Sequence, residues 1–473
     1  MHRRLLSILA LTSSLAAPLL VARPAHAQGW LADRKYSEGI GIKVGDFELH
    51  PGIGGEAGFD SNYLMRTYNQ PFVNGCPTAC PDAAGIFRLT GSLDIATLGV
   101  QRKEGDSANT ELPTVTFRAG LSVTQRFFVG DQTIVNENGI DGLSAAATAR
   151  VDILPKRPVS FGLQAGYNRT LAANTTGDPD QNFNQNVINL GADVTITPGS
   201  GTLDWKFGYN GNYDFFDSSG SNAPFNNLQN SIFTRGQWKF GPKTAVIYDG
   251  NFAFVTYEQQ AQAFNGLLNS TPLRSRLGLN GLIGSRFGLT AFAGYGGSFV
   301  NTGGNPLVQQ YDSVIGQVEA KFFLTANPAA DQNPGTVTLA VSALSLGYNR
   351  DFSQSYLGSF YGSDRGYLKF AFFFGGRALV SLEGGVGARE YPQVFSQAGG
   401  VLTPIGPAKG FTDAAIDATL FGEYRFTNTL GLNTTLKYTE EISSTALPSD
   451  TNGDLYHMAY RRFEAYLGFR WFM

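Results

Sequence analysis

The chain is 473 residues long, with only 15% charged residues, 13% aromatics, 58 glycines and a formal net charge of −3. Soluble domains carry about 25% charged residues, and a mildly acidic balance gives no electrostatic hold on nucleic acid. Mean hydropathy is −0.12. Past the head of the chain no run approaches the roughly 20 apolar residues of a membrane helix; the most apolar is Phe-Ala-Phe-Phe-Phe at 370–374.

The head reads as an export signal. His2, Arg3 and Arg4 give a positive start, residues 5–20 are apolar or small, and Ala25-His26-Ala27 is a small-residue cleavage site before Gln28. Removing residues 1–27 deletes Arg3, Arg4 and Arg23 and no acid, so the net charge moves from −3 to −6. Residues 28–46 are expected as a short periplasmic N-terminal segment, too short for a large plug domain.

From residue 47 to 473 about eighteen segments alternate apolar and polar residues with the period of a strand. They lie near 47–61, 86–99, 113–129, 142–154, 158–170, 183–197, 201–216, 228–240 and 243–258. The others lie near 273–284, 287–300, 311–325, 336–351, 364–374, 377–391, 411–426, 429–441 and 457–473. Connections after even-numbered segments are mostly tiny, as in Pro155-Lys156-Arg157, Gly241-Pro242 and Thr427-Asn428, with longer exceptions around 100–112 and 326–335. Those after odd-numbered segments are all expected to be about ten residues or more, the longest at 62–85 and 392–410.

A membrane protein without membrane helices must be a closed barrel, since only helices and barrels satisfy every backbone group in lipid. The expected fold is therefore all-β: a transmembrane antiparallel β-barrel of about 18 strands, with short periplasmic turns and long extracellular loops. An even strand count puts both ends on the short-turn side. Aromatics fall at both rims: Trp238, Phe240, Phe287, Phe322, Phe374, Phe426 and Trp471 near short turns, and Phe127, Tyr167, Phe215, Tyr257, Phe299 and Tyr391 near long loops.

Taking the more apolar parity of each segment as lipid-facing assigns the lumen. Arg118 and Arg126, Arg274 and Arg276, and Arg377 with Glu383 and Arg389 point inward, as do Asp413, Asp417, Glu423 and Arg425. A lipid-facing Arg or Lys near the midplane costs about 2–4 kcal/mol, so this sorting is physically demanded. Two arrangements are open. Arg118, Arg274, Arg276 and Arg377 face Glu383, Asp413, Asp417 and Glu423 across a transverse field, or the charges form ladders bracing the wall.

Motifs for chemistry are sparse. Cys76 and Cys80, in the first long loop, are expected to form a small structural disulfide. No metal site and no cofactor is expected, and the Asp-rich stretches near 178–180 and 449–454 read as solvated loop. Catalysis is not expected either: His457 is the single candidate base near a loop end, and it needs a Ser and an acid beside it.

Two stretches carry family resemblances. Tyr466-x-Gly468-x-x-Trp471-x-Met473 resembles the signal that outer-membrane barrels present to their assembly machinery. The opening segment, with Pro51-Gly52-Ile53-Gly54 followed by Gly58-Phe59-Asp60-Ser61-Asn62, resembles the first strand of the outer-membrane β-barrel porin family. Some members of that family resemble barrels that accompany polysaccharide export. The resemblance implies a bacterial outer-membrane location and a water-filled channel for hydrophilic solutes or glycans, by passive diffusion or within an export system. The alternative is a non-conducting structural or surface-interaction barrel of an envelope, adhesion or motility complex. Implied partners are outer-membrane lipid, the barrel assembly machinery and periplasmic export proteins, with an oligomer open and no nucleic acid.

Overall fold

The computed structural model describes residues 41–67, 81–98, 113–130, 142–171, 184–199, 201–217, 225–241, 243–258, 267–303, 305, 307–324, 342–374, 377–398, 401–448 and 455–473. The segment expected as a signal, most of the N-terminal stretch, and Cys76 and Cys80 lie outside them.

Eighteen long strands follow one another: β1 (Phe47–Asp60), β2 (Ala84–Thr97), β3 (Val115–Val129), β4 (Gly142–Ile153), β5 (Val159–Thr170), β6 (Gln185–Ile196), β7 (Leu203–Phe216), β8 (Asn227–Gly241) and β9 (Thr244–Tyr257). The second half comprises β10 (Leu273–Ile283), β11 (Phe287–Gly297), β12 (Asp312–Phe323), β13 (Ala343–Ser355), β14 (Ser359–Phe374), β15 (Ala378–Tyr391), β16 (Phe411–Arg425), β17 (Leu430–Ile442) and β18 (Tyr460–Phe472). Each pairs antiparallel with the next, and β18 returns to β1 from Gly52↔Phe472 to Asp60↔Glu464, which closes the barrel. A short leading strand, Ile42–Val44, folds back on the start of β1.

The pair registers, followed strand by strand, slip by about 22 residues in one circuit, which tilts the strands by about 40°. With strands about 4.8 Å apart, the wall is about 35 Å wide from backbone to backbone. Outward positions are apolar and exposed, among them Leu277, Leu279, Leu346, Val386, Leu467 and Phe469. Trp238, Phe240, Phe287, Phe322, Phe426 and Trp471 form an exposed belt at the short-turn rim. Short turns on one side, long connections on the other and an apolar outer face are the architecture of bacterial outer-membrane barrels, and the chain resides there.

Three expectations are corrected. The connection after β13 is not long: Ser355 pairs with Ser359 across a turn at 356–358, and the stretch 352–363 forms the ends of β13 and β14. Gly358, at φ +74°, supplies the left-handed residue that a three-residue hairpin loop needs. Tyr257 and Tyr391 belong to no lipid-facing girdle. Both take the inward parity, Tyr257 accepting a bond from Gln354 and Tyr391 stacking on Phe411 at 4.8 Å. His457 is not on the last strand, which starts at Tyr460; it sits in a small hairpin, 446–448 against 455–457, inside the final connection.

Buried apolar side chains form no central core. Among the described residues most gather in four clusters at the outer end of the barrel, where connections fold inward over the lumen, while Leu98, Ala245, Ile247 and Phe472 are buried near the short-turn end.

Candidate functional site: the lumen and the hairpin across its mouth

The lumen wall is polar because lipid excludes charge from the other face. Ion pairs run along it: between neighbouring strands at Glu56–Arg88 and Asp249–Arg276, both 2.8 Å, across an intervening strand at Arg150–Asp193, 2.8 Å, and within β16 at Arg425–Glu423, 2.6 Å. Many of these groups still meet solvent, with Lys369 and Lys437 both 46% exposed and Glu383 44%. Charge facing a dry interior is prohibitive, so these groups need a polar environment beside them.

The residues expected to line the pore fall as follows. Arg118 lies opposite Arg150 in the β3–β4 register. Arg276 pairs with Asp249, and Arg274 with Asp351 at 3.0 Å. Asp417 and Glu383 share Arg365, which donates to Asp417 Oδ1 at 3.0 Å and approaches Glu383 at 3.5 Å. Glu423 takes Arg425 and Arg470. Asp413 is fully buried and faces Arg389 in the register. Arg377 is not on a strand; it occupies the short turn before β15 and is exposed. Arg365, Asp249 and Asp351 were missed, although the parity of their segments carried the signal for each.

The residues resembling an assembly signal sit at the seam. Tyr466 points into the lumen, where Gly58 leaves room for its ring beneath the Arg88 guanidinium, 3.5 Å from the ring centre. Gly468 faces Glu56 with no space for a side chain. Trp471 faces lipid, and Met473 donates its N–H to Pro51 O at 3.0 Å. His50, buried on the inner face, meets Met473 O at 3.1 Å and Glu48 at 2.8 Å.

The mouth is crossed by the β13–β14 hairpin. β12 starts at Asp312, yet its pairing with β13 stops at Gly316↔Arg350, so β13 leaves the wall at 351. Residues 351–356 reach about 20 Å at strand rise, past the barrel axis. The contacts agree: Gln185 on β6 donates to Tyr356 Oη at 3.1 Å, and Gln354 donates to Tyr257 Oη on β9 at 2.8 Å. Tyr356 also packs edge-on against Phe216 and Phe225. Leu357, fully buried, docks against Val394 and Leu447 from the last two long connections.

Arg274 clamps the base of this hairpin. Its guanidinium pairs with Asp351, donates to Phe352 O and lies 4.0 Å from the centre of the Phe352 ring. Phe352 stacks on Tyr311 at 4.6 Å and lies over Gly296, where a Cβ would meet its ring at 2.9 Å. Residues 62–65 also turn inward, placing Tyr63 and Leu64 against Ile86, Phe128 and Tyr466. Among the described residues no group of three His, Cys, Asp or Glu is placed to hold a metal.

No family model and no curated protein matches the sequence. Solved structures similar to this chain include Acinetobacter baumannii OccAB4, with 10% identity over 90% of this chain and 98% of that one, at a TM-score of 0.42. Pseudomonas aeruginosa OpdQ is similar with 10% identity over 91% and 98%, at 0.41. The siderophore receptor PirA from Pseudomonas aeruginosa is similar with 9% identity over 93% and 81%, at 0.40.

Proposed function

We propose that the barrel is a water-filled channel for small hydrophilic solutes, narrowed at its outer mouth by the β13–β14 hairpin. The observation that carries this reading is the lumen wall: charged side chains of both signs line it and remain partly solvated, Asp417 being 38% exposed and Lys369 46%. Ladders of opposite charge hold water and orient polar solutes at little cost. The hairpin favours small solutes over a glycan polymer, whose export requires the hairpin to swing aside.

A second reading rests on the same hairpin. Its tip is held on two sides, by Gln185 and Tyr257 and by Val394 and Leu447, which also suits a barrel whose mouth stays shut and whose loops meet a partner. Single-channel recording of the refolded protein in planar bilayers separates the two. Steady current with block by added sugars supports the channel. A folded, heat-modifiable barrel that carries no current overturns it and favours the closed reading.

A further inference from the structure

We propose that Asp413 and Glu441, at the outer end of the lumen wall, form a binding site for Ca²⁺. The site goes beyond the channel reading and holds whether or not the barrel conducts. Asp413 is the third residue of β16, where the chain enters the wall after the long connection that follows β15. Glu441 lies at the end of β17, just before the last connection. Glu441 pairs with Ala415 in the β16–β17 register, so Asp413 stands two residues further along the same inner face. The two carboxylates are diagonal neighbours on adjacent strands, close enough to repel one another.

Both acids are withdrawn from solvent, Asp413 being 0% exposed and Glu441 5%. Neither Asp413 oxygen, nor Glu441 Oε1, has a hydrogen-bond partner among the described residues. The Ser443 hydroxyl faces Asp413, and it can serve one of the two oxygens at most. Arg389, on β15, is the cation that faces the pair. It donates to Glu441 Oε2, and its side chain is itself 36% exposed. Tyr391 and Tyr460 also face Glu441, and phenols bring no charge at neutral pH.

Two buried acids thus share one partly solvated guanidinium, which leaves one negative charge and three carboxylate oxygens unmet. A carboxylate kept charged away from water is costly unless a cation accompanies it. A proton shared by the two acids would bridge two of the three oxygens and leave the third. A single metal ion between the strands takes all three.

The donors specify the metal. All are hard oxygens on two strands and a connection, an irregular set that suits Ca²⁺, whereas Mg²⁺ demands a near-ideal octahedron. Two carboxylates with water completing the shell place the affinity at about 10⁻⁴–10⁻³ M, the range of extracellular calcium modules. The position gives the ion a task. Tyr391 and Phe411, stacked at 4.8 Å, pack on the cluster of Leu357, Val394 and Leu447. Bound Ca²⁺ therefore ties β16 to β17 where the last two long connections grip the hairpin tip.

The test uses the full chain refolded in detergent. Its melting temperature is followed against Ca²⁺, and tyrosine-sensitised luminescence against Tb³⁺, with Tyr391 and Tyr460 beside the acids as sensitisers. Ca²⁺ is expected to raise the melting temperature and to displace Tb³⁺. D413N and E441Q should each weaken both responses by about tenfold or more, since charge count sets calcium affinity. A wild-type melting temperature that ignores Ca²⁺ at ~10 mM, well above that affinity range, overturns the proposal. So does an equal response to Na⁺ at the same concentration, and so does a D413N or E441Q protein that responds to Ca²⁺ like the wild type. The wild-type comparison of Ca²⁺ with Na⁺ needs no variant to fold.

Discussion

Gly468 shows how closely the seam is set. A Cβ there would lie 2.4 Å from Glu56 Cγ and 2.6 Å from the Gly55 carbonyl, whereas one at Gly55, on the lipid face, meets nothing within 4 Å. Gly468→Ala should therefore destabilise the closed barrel by about 1–3 kcal/mol, and Gly55→Ala should fold like the wild type. The folded fraction on unheated gels reads both.

Asp217, just beyond β7, gives a pH signature. Burial pushes its carboxyl upward, but bidentate donation from Arg169 and a bond from Asn186 outweigh that and hold it below the usual range. A depressed folded value means this stabilisation is complete above the unfolded pKa, about 3.9, and fades as pH falls through the folded one. Asp217→Asn should cost about 0.5–1 kcal/mol at neutral pH, and its deficit should shrink below about pH 4. Urea unfolding across that range is the check. At this scale parity assigns strand charges to a face, because lipid sorts them, but it says nothing of Arg377, which falls in a turn. It did not show their partners: Arg274 is committed to Asp351 and Phe352, three strands away, and only register and the hairpin's path bring those together.

Among elements, the β13–β14 hairpin departs most from the sequence reading. Period-2 alternation is legible where one face meets lipid, and residues 352–363 meet none, so Phe-Ser-Gln-Ser-Tyr-Leu-Gly-Ser-Phe-Tyr-Gly-Ser reads as polar loop. The strands buried in lipid on one side, such as β10 and β16, were legible almost to the residue. Leu357→Asp places a charge in the cluster with Val394 and Leu447 and should release the tip. Because the tip passes the barrel axis, single-channel conductance should roughly double while the wall stays folded. Unchanged conductance in a folded variant would show that the hairpin does not limit the pore.

For the whole molecule, strand number and the alternation of short and long connections were readable, since a membrane-crossing strand has a minimum length and a fixed polarity of loops. Tilt and width were not, because they follow from the accumulated register. The division between lipid and lumen is testable on one strand. Leu277, 59% exposed on the outer face of β10, should cost about 2–4 kcal/mol when replaced by Arg. Asn280, which faces inward and accepts a bond from Thr290, should take Arg at less than about 1 kcal/mol. Folding into lipid vesicles under urea measures both.

The departure of β13 from β12 at Arg350 has a consequence for self-association. From 351 to 355 the hairpin has no β12 neighbour, and an unpaired strand edge is a template for another chain. Here that edge points into the bore of its own barrel, with the barrel wall around it and Arg274 on the Phe352 carbonyl. A second copy cannot reach it, so the fold carries a raw β-edge without exposing the cell surface to edge-to-edge aggregation.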